Sequence, residues 1–184
     1  MRIISGEFRG RKLATLGKGD TGAHLRPTTD RVRESLFSVL THLGVLSGAR
    51  VLDLFAGTGA LGLEALSRGA AQVTFVDDGR VAGGLIRKNI ELTQSQPLTR
   101  FVPMDARKLG PCPGDPFDLV FLDPPYGKGL GIRALRAVQA DGWLSEGALV
   151  VCEENAPQEV PPGFDLADRR KYGDTHVTLM WVSG

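Results

Sequence analysis

The segment Asp123-Pro124-Pro125-Tyr126 has the composition of a site that holds a flat ring bearing an amino group. It follows the apolar run 117–122, which predicts a strand, and ligands of open α/β sheets bind at the carboxyl ends of strands. The aspartate and the first proline carbonyl can accept hydrogen bonds from an exocyclic amine, the prolines stiffen the backbone, and the tyrosine can stack on a base. The ordinary alternative is that the prolines end a strand and the tyrosine covers its edge.

A second motif is a strand that turns through glycines into a helix. The apolar run 51–55 leads into Gly57, Gly59 and Gly62, which match the pattern G-x-G-x-x-G, and Asp77 follows the first glycine by 20 residues. This spacing is typical of a dinucleotide site, so a nicotinamide cofactor is one interpretation.

Asp53 favours a different cofactor. A carboxylate in the strand that feeds the glycine loop repels a pyrophosphate, which binds best where backbone N–H groups are free of nearby anions. S-adenosylmethionine carries a sulfonium and an ammonium group and no phosphate, so it suits that carboxylate. Asp77 could accept hydrogen bonds from the ribose hydroxyls of either cofactor. We therefore expect the cofactor to be S-adenosylmethionine. NADH is the alternative, and a binding measurement would distinguish the two.

Five segments of the chain together resemble one protein family, the RsmD family of bacterial 16S ribosomal RNA guanine-N2 methyltransferases. They are residues 2–6, 8–12, 26–37, 51–69 and 123–126. The glycine loop and the clamp at 123–126 are shared by many methyltransferases of amino groups, whereas the block Arg-Pro-Thr-Thr-Asp-Arg-Val-Arg-Glu at 26–34 is much more specific. The resemblance extends from the first residues to the last strand.

The resemblance implies a role for each matching position. The cofactor residues would be Asp53, Ala56, Gly57, Gly59, Asp77, Asp78, Asp105 and Ala106, and the guanine would enter the clamp of Asp123, Pro124, Pro125 and Tyr126. Relatives often carry glutamate where this chain has Asp77, so Asp77 and Asp78 are both candidates for the ribose. Asp105 would meet the adenine amino group, although its position after the run 101–103 is equally typical of an Asx turn.

Positive charge is concentrated at the start of the chain. Residues 1–33 hold eight basic and three acidic side chains, a net charge of +5, so the remainder carries −4 of the overall +1. A basic arm of this kind can contact a phosphate backbone, although most such charges only face solvent. The RNA-contacting candidates are Arg9, Arg11, Lys12, Arg26, Arg31, Arg33 and Lys128. We expect residues 1–27 to form a basic extension and residues 28–184 to form the methyltransferase domain.

Strand and helix patterns alternate along the chain, which predicts a doubly wound α/β sheet. Short strands are expected near 2–5 and 11–15, then a helix at 29–43, strands at 50–55, 72–77, 99–103, 117–122 and 147–153, helices at 59–68, 79–93 and 129–140, and a hairpin of 168–171 with 175–182. The expected fold is the class I, Rossmann-like methyltransferase sheet of seven strands with an antiparallel last strand.

Composition limits the remaining possibilities. A chain of 184 residues with no apolar run near 20 residues fits one cytoplasmic domain, and its two cysteines and three histidines show no metal-binding spacing. We therefore expect a monomeric enzyme that uses S-adenosylmethionine, no metal, and 16S ribosomal RNA in a small ribosomal subunit or its assembly intermediate. The rival functions are an adenine-N6 or protein-amide methyltransferase with the same clamp, and a non-catalytic RNA-binding module.

Overall fold

The computed structural model of this chain describes residues 1–16 and 28–184. Its elements are α1 (Asp30–Leu43), β1 (Arg50–Leu54), α2 (Ala60–Ser67), β2 (Gln72–Val76), α3 (Arg80–Leu92), a short 3-10 helix (Gln96–Leu98), β3 (Thr99–Val102), β4 (Phe117–Leu122), α4 (Leu130–Ala140), β5 (Leu144–Glu154), β6 (Phe164–Tyr172) and β7 (Thr175–Val182). The predicted bounds from position 29 onward agree to within one residue, except that β5 and β6 both extend beyond the predicted strands.

The seven strands form one sheet in the order β3-β2-β1-β4-β5-β7-β6. The first five strands in that order run parallel, and β7 runs antiparallel to both of its neighbours. The predicted doubly wound sheet with an antiparallel last strand is therefore confirmed. The strand order reverses between β1 and β4, and such a switch point opens a crevice at the carboxyl ends of the two strands.

Helices cover both faces of the sheet and divide the core into two layers. One layer joins α1, α2 and α3 to the sheet through residues such as Phe37, Leu63 and Ile86. The other packs α4 and Trp143 against the opposite face, with Leu135 fully buried. Parallel strands that are buried on both faces usually have nearly continuous apolar sequences. Asp53, inside β1, is an exception to this pattern.

Residues 1–16 form an arm that does not contain the two predicted short strands. A single antiparallel bridge links Arg2 to Lys12. Ile3 N also donates to the Arg11 carbonyl at 2.9 Å, and Leu13 N donates to the Met1 carbonyl at 3.0 Å. The backbone between these pairs bonds to α2: Ile4 and Ser5 donate to the carboxylate of Glu64 at 2.8 and 3.1 Å, and Glu7 and Phe8 donate to Ser67. The two segments thus pair over only a few residues, too short a stretch to form strands, because the donors of Ile4 and Ser5 have partners in a helix.

The arm lies so close to α2 that one of its positions requires glycine. Gly6 has a φ of +91°, and a Cβ atom there would lie 2.0 Å from the carbonyl oxygen of Ser67. A left-handed backbone and a close approach of two main chains are the two conditions that exclude a side chain.

A group of four charged side chains, two of them fully buried, fastens the arm to the first two helices; we call Asp30, Arg33, Glu64 and Arg68 the arm network. Arg33 is fully buried, and its Nη2 donates to the Arg2 carbonyl at 2.5 Å and to Asp30 at 2.6 Å. Glu64, also fully buried, lies 3.6 Å from Arg33 Nε and accepts from Arg68 Nε at 2.9 Å. The prediction that Arg33 contacts RNA is therefore wrong, because this guanidinium holds the arm in place.

Within the two described ranges, none of the helices combines the length and the apolar character needed to cross a lipid bilayer.

Candidate active site

The glycine loop after β1 is tightly constrained by its neighbours. Phe55 has a φ of +56°, an uncommon conformation for a residue with a side chain, and Gly57 and Gly59 follow with positive φ values. A Cβ atom on Gly62 would lie 2.5 Å from the ring of Phe75 and 3.0 Å from Asp53 Oδ2. The sequence therefore needs glycine at position 62 for packing, and the loop before it holds a backbone shape typical of binding sites.

Asp53 is buried, and one of its two carboxylate oxygens accepts a hydrogen bond within the chain. Its Oδ2 accepts from the backbone N–H of Gly62 at 2.9 Å, while Oδ1 has no hydrogen-bond partner among the described residues. Burial raises the pKa of Asp53 well above its ordinary value, the bond from Gly62 lowers it, and the nearby Asp123 and Asp77 raise it further. A buried, electron-rich oxygen of this kind fits a cationic ligand, so the donor set agrees with S-adenosylmethionine.

Asp77 joins the glycine loop to the start of α3. Its Oδ2 accepts from Gly57 N at 3.0 Å and its Oδ1 accepts from Gly79 N at 2.8 Å. Burial raises the pKa of Asp77, although these two bonds oppose the shift. A carboxylate has about four acceptor positions, so hydroxyl groups of a ribose can bind beside these contacts. Asp78 is exposed, and both aspartates line the same cavity.

Asp105 forms a tight local ion pair that sequence reasoning did not anticipate. Its carboxylate accepts from the backbone and Nε of Arg107 at 2.9 and 3.0 Å and from Nη2 at 2.7 Å. These bonds lower the pKa of Asp105 to about 2. The bond from residue 107 to the side chain of residue 105 is the Asx-turn geometry, so the conformational role is present whether or not the carboxylate also binds a ligand.

A cavity of about 110 Å³ is lined by four of the eight predicted cofactor residues. It is lined by Phe55, Val76, Asp77, Asp78, Asp105, Ala106, Arg107, Pro125 and Leu130. Four positions predicted from two separate segments thus meet in one place, next to Pro125 of the clamp. Asp53, Ala56, Gly57 and Gly59 lie in the adjoining loop and strand and do not line this cavity.

The clamp itself is anchored by three neighbouring elements. Asp123 is the first residue after β4. Gly127 N donates to Glu154 Oε1 on β5 at 3.0 Å, and the hydroxyl of Tyr126 lies 3.1 Å from that of Thr175 on β7. A Cβ atom on Gly131 of α4 would lie 3.1 Å from the buried ring of Pro124. The clamp is therefore held by β5, β7 and α4 and not by the prolines alone.

A second and larger cavity lies on the other side of the clamp. Its volume is about 530 Å³, and it is lined by Thr28, Thr29, Arg31, Val32, Ser35, Tyr126, Glu153, Tyr172, Gly173 and Thr175. Pro125 borders the small cavity and Tyr126 borders the large one. Two adjacent residues of the clamp thus border two different cavities.

The other predicted RNA-contacting residues fall into three groups. Arg9, Lys12 and Lys128 are exposed, and so is Arg11, whose guanidinium donates to the carbonyl of Leu92 at 2.6 Å. Arg31 is exposed at the large cavity. Arg26 lies outside the described residues.

Three contributors to this site were missed in the sequence: Arg107, Glu153 and Thr175. A usable signal existed for Glu153, because it follows the apolar run 148–152 just as Asp123 follows β4. No local pattern identifies Arg107 or Thr175, whose importance depends on contacts. Among the described residues, no three histidine, cysteine or acidic side chains are placed to hold a metal ion.

Comparison with known proteins places these features in a family context. Residues 1–181 match the family described as Conserved hypothetical protein 95. The Ribosomal RNA small subunit methyltransferase D of Escherichia coli K12 is 41% identical over 182 residues, covering 97% of this chain and 88% of that protein. Its counterpart in Haemophilus influenzae is 35% identical, covering 94% and 89%. The solved structure of yhhF from Escherichia coli superimposes with a TM-score of 0.85 at 38% identity, covering 100% of this chain and 98% of that one.

Proposed function

Because this chain belongs to the RsmD family, we propose that it is a ribosomal RNA methyltransferase that transfers a methyl group from S-adenosylmethionine to the N2 amino group of a guanine in 16S ribosomal RNA. The observation that carries the proposal is the position of the clamp between two cavities. One cavity is lined by four of the residues expected to hold the cofactor, and the other has room for a base.

The cofactor would be held by groups that match its charge and its hydroxyls. Asp53 Oδ1 supplies a buried acceptor for a cationic centre, and Asp77 and Asp78 supply acceptors for the ribose. When bound, S-adenosylmethionine supplies an electrophilic methyl group. The small cavity also contains Ala106, whose lack of a long side chain leaves room beside Asp105 for a flat ring.

The clamp would prepare the amino group of the base. Asp123 and the carbonyl of Pro124 would accept its two N–H bonds and so increase electron density on nitrogen, which is otherwise delocalised into the ring. Tyr126 would stack on the base, a contact commonly worth about 1 to 3 kcal/mol. The nitrogen lone pair would form the new N–C bond as the methyl–sulfur bond breaks and its electron pair stays on sulfur. Asp123 would stabilise the positive charge on nitrogen, and one N2 proton would leave to Asp123 or to water.

The RNA backbone would approach from the side of the arm. Arg9, Lys12 and Arg31 are exposed, and Arg31 lies at the cavity that would receive the base. Residues 1–27 would act as the RNA-contacting extension and residues 28–184 as the catalytic domain. We propose that one chain acts on a small ribosomal subunit or its assembly intermediate, because the modest net charge of +1 suits a structured target better than indiscriminate binding to nucleic acid.

The test is transfer of tritiated methyl groups to small ribosomal subunits from cells that lack the modification, followed by mass analysis of nucleosides. The expected product is N2-methylguanosine. Asp123→Ala should slow single-turnover transfer by about a hundredfold to a thousandfold, the usual cost of removing a preorganised electrostatic contact. Asp115→Ala, in an exposed loop, is the matched control and should leave the rate unchanged.

Three outcomes would contradict the proposal. N6-methyladenosine as the product would favour the adenine rival, no transfer by the wild type would favour the binding module, and full activity of Asp123→Ala would remove the mechanism. Calorimetry should show S-adenosylmethionine binding and no binding of NADH.

A further inference from the structure

Glu153 lies beside the clamp, on the neighbouring strand and on the same face of the sheet. Leu122 of β4 is paired with Cys152 of β5, so Asp123 and Glu153 are the next residues along two parallel neighbours. Both of the paired residues belong to the core layer under α4, and because side chains alternate along a strand, the two acids that follow point to the opposite face. Glu153 is only 2% exposed, and it lines the large cavity together with Tyr126.

The two consecutive glutamates at the end of β5 have different surroundings. Glu154 accepts from Gly127 N and Asn155 N, both at 3.0 Å, so it serves the backbone of the clamp. Glu153 lines the space that would receive the base. Ligand cavities orient their ligands through a small number of polar groups, and Glu153 is a polar group of this cavity next to the clamp.

Guanine presents the donors that suit two adjacent carboxylates. Its Watson–Crick edge carries the N1–H beside the N2 amino group, so Asp123 could accept from the amine while Glu153 accepts from N1–H. Adenine has an unprotonated N1 beside its amino group. The lone pair on that nitrogen would face the Glu153 carboxylate and be repelled by it. Enzymes that act on a base taken out of its stack commonly read this edge.

We propose that Glu153 is the residue that selects guanine, by accepting the hydrogen bond of its N1–H in the large cavity. The inference rests on the proposed function and specifies how its substrate is chosen. Glu153 already interacts with other groups of the chain, and a carboxylate with about four acceptor positions can take the N1–H beside them. Tyr126 would fix the plane of the base, Asp123 would hold the reacting nitrogen, and Glu153 would reject a base with the wrong edge.

The decisive probe is 2-aminopurine, which keeps the reacting amino group but has an unprotonated N1. The guanine that the wild type methylates is first identified by nucleoside mapping, and small subunits are then reconstituted with 2-aminopurine at that position. The wild type should prefer guanine by at least about a hundredfold in single-turnover rate, because sites built around a hydrogen bond reject analogues that lack it. In Glu153→Gln the side-chain amide can donate to N1, so this preference should fall at least about tenfold.

Two controls separate base selection from general damage. Glu146→Gln changes an exposed carboxylate on the same strand and should keep the wild-type preference. The affinity of Glu153→Gln for S-adenosylmethionine, measured by calorimetry, should equal that of the wild type.

The outcomes also separate this inference from the proposed function. If the wild type methylates guanine and 2-aminopurine equally fast, or if Glu153→Gln keeps the full preference, Glu153 does not select the base although the methyltransferase assignment stands. If the wild type methylates no guanine, the proposed function and this inference both fail. The wild-type rates on guanine and 2-aminopurine show whether the enzyme recognises N1–H, even if Glu153→Gln folds poorly.

Discussion

Two parts of this protein bury acidic groups, and they treat the charge in opposite ways. In the arm network, Glu64 lies against both Arg33 and Arg68, and Asp30 pairs with Arg33. Near the carboxyl ends of β1 and β2, the charged groups that act on Asp53 and Asp77 are other carboxylates, among the residues that the structure describes.

The difference separates a structural role from a functional one. Opposite charges that neutralise each other within the chain need nothing from outside, so the arm network can act as a permanent fastening. Like charges gathered in partial burial are costly to the free protein and become favourable when a positive ligand arrives. The same residue types thus hold one region together and prepare the other for binding.

The largest expected effect is on the free energy of unfolding when Glu64 is replaced by alanine. The change removes the acceptor of Ile4 and Ser5 and leaves Arg33 buried with less compensation. Breaking a buried pair in this way usually costs about 3 to 5 kcal/mol, so urea denaturation should show a loss in that range. Glu34→Ala, on the exposed side of α1, is the control. A loss below about 1 kcal/mol would mean that the arm network does not fasten the arm.

Asp53→Asn should have the opposite effect on stability while impairing cofactor binding. The substitution keeps an acceptor for Gly62 N but removes the charge that attracts a cation. Loss of a hydrogen bond to a charged group costs about 1.5 to 3 kcal/mol, so calorimetry should show affinity for S-adenosylmethionine reduced roughly tenfold to a hundredfold.

The effect of Asp53→Asn on stability has a defined pH dependence. Because the pKa of Asp53 is raised in the folded protein, its protonated form folds without penalty below the ordinary value of 3.8, and stability is lost as the pH rises toward the folded pKa. The asparagine variant avoids that loss, so its advantage over the wild type should grow from pH 4 to pH 7. An advantage that is constant with pH would indicate that Asp53 does not carry the buried charge.

A smaller effect is expected from Tyr126→Phe, which tests a structural contact inside the functional region. The variant keeps the stacking face but removes the hydroxyl that lies 3.1 Å from that of Thr175. Such a bond contributes about 0.5 to 1.5 kcal/mol, so the single-turnover rate should fall by several-fold at most. Thr175→Val should cause a similar change, and the double variant should be no worse than either. Fully additive effects would show that the two hydroxyls act separately.

The smallest effect per residue is expected from the exposed cations of the arm. If Arg9, Arg11 and Lys12 each bind a phosphate, replacing any one of them by alanine should lower the slope of log K against log salt for RNA binding by a little under about one unit. The matched control is Arg133→Ala with Arg136→Ala, two exposed cations of α4. An unchanged slope in the triple alanine variant would make the arm an ordinary solvated surface. Arg33 is excluded from this test because it is buried.

Local patterns predicted most of the fold. The apolar runs of β1 and β4 are properties of short segments, and the bounds of those strands follow from them. The arm differed because the hydrogen bonds of Ile4 and Ser5 go to a side chain about 60 residues away, which no local pattern reveals. The same is true of Arg33, whose sequence context predicts a surface cation.

The candidate site was predictable where a single segment determines its own conformation. The glycine loop and the clamp meet that condition, and the structure places Asp77, Asp78, Asp105 and Pro125 around one cavity. The division of the site into two cavities was not predictable, because it depends on β5, β7 and α1 packing around the clamp.

The position of β7 has a consequence for how the molecule is made. This strand follows β6 in the chain, yet it lies between β5 and β6 in the sheet and buries Leu179 and Met180. Until it has been synthesised, β6 has no neighbour on its inner side and β5 presents an open edge, which is a hazard for aggregation. Because Thr175 at its start also contacts Tyr126, a chain that stops short of β7 would lack both a closed sheet and a complete clamp. Completion of the sheet and completion of the proposed base site would therefore both wait for β7.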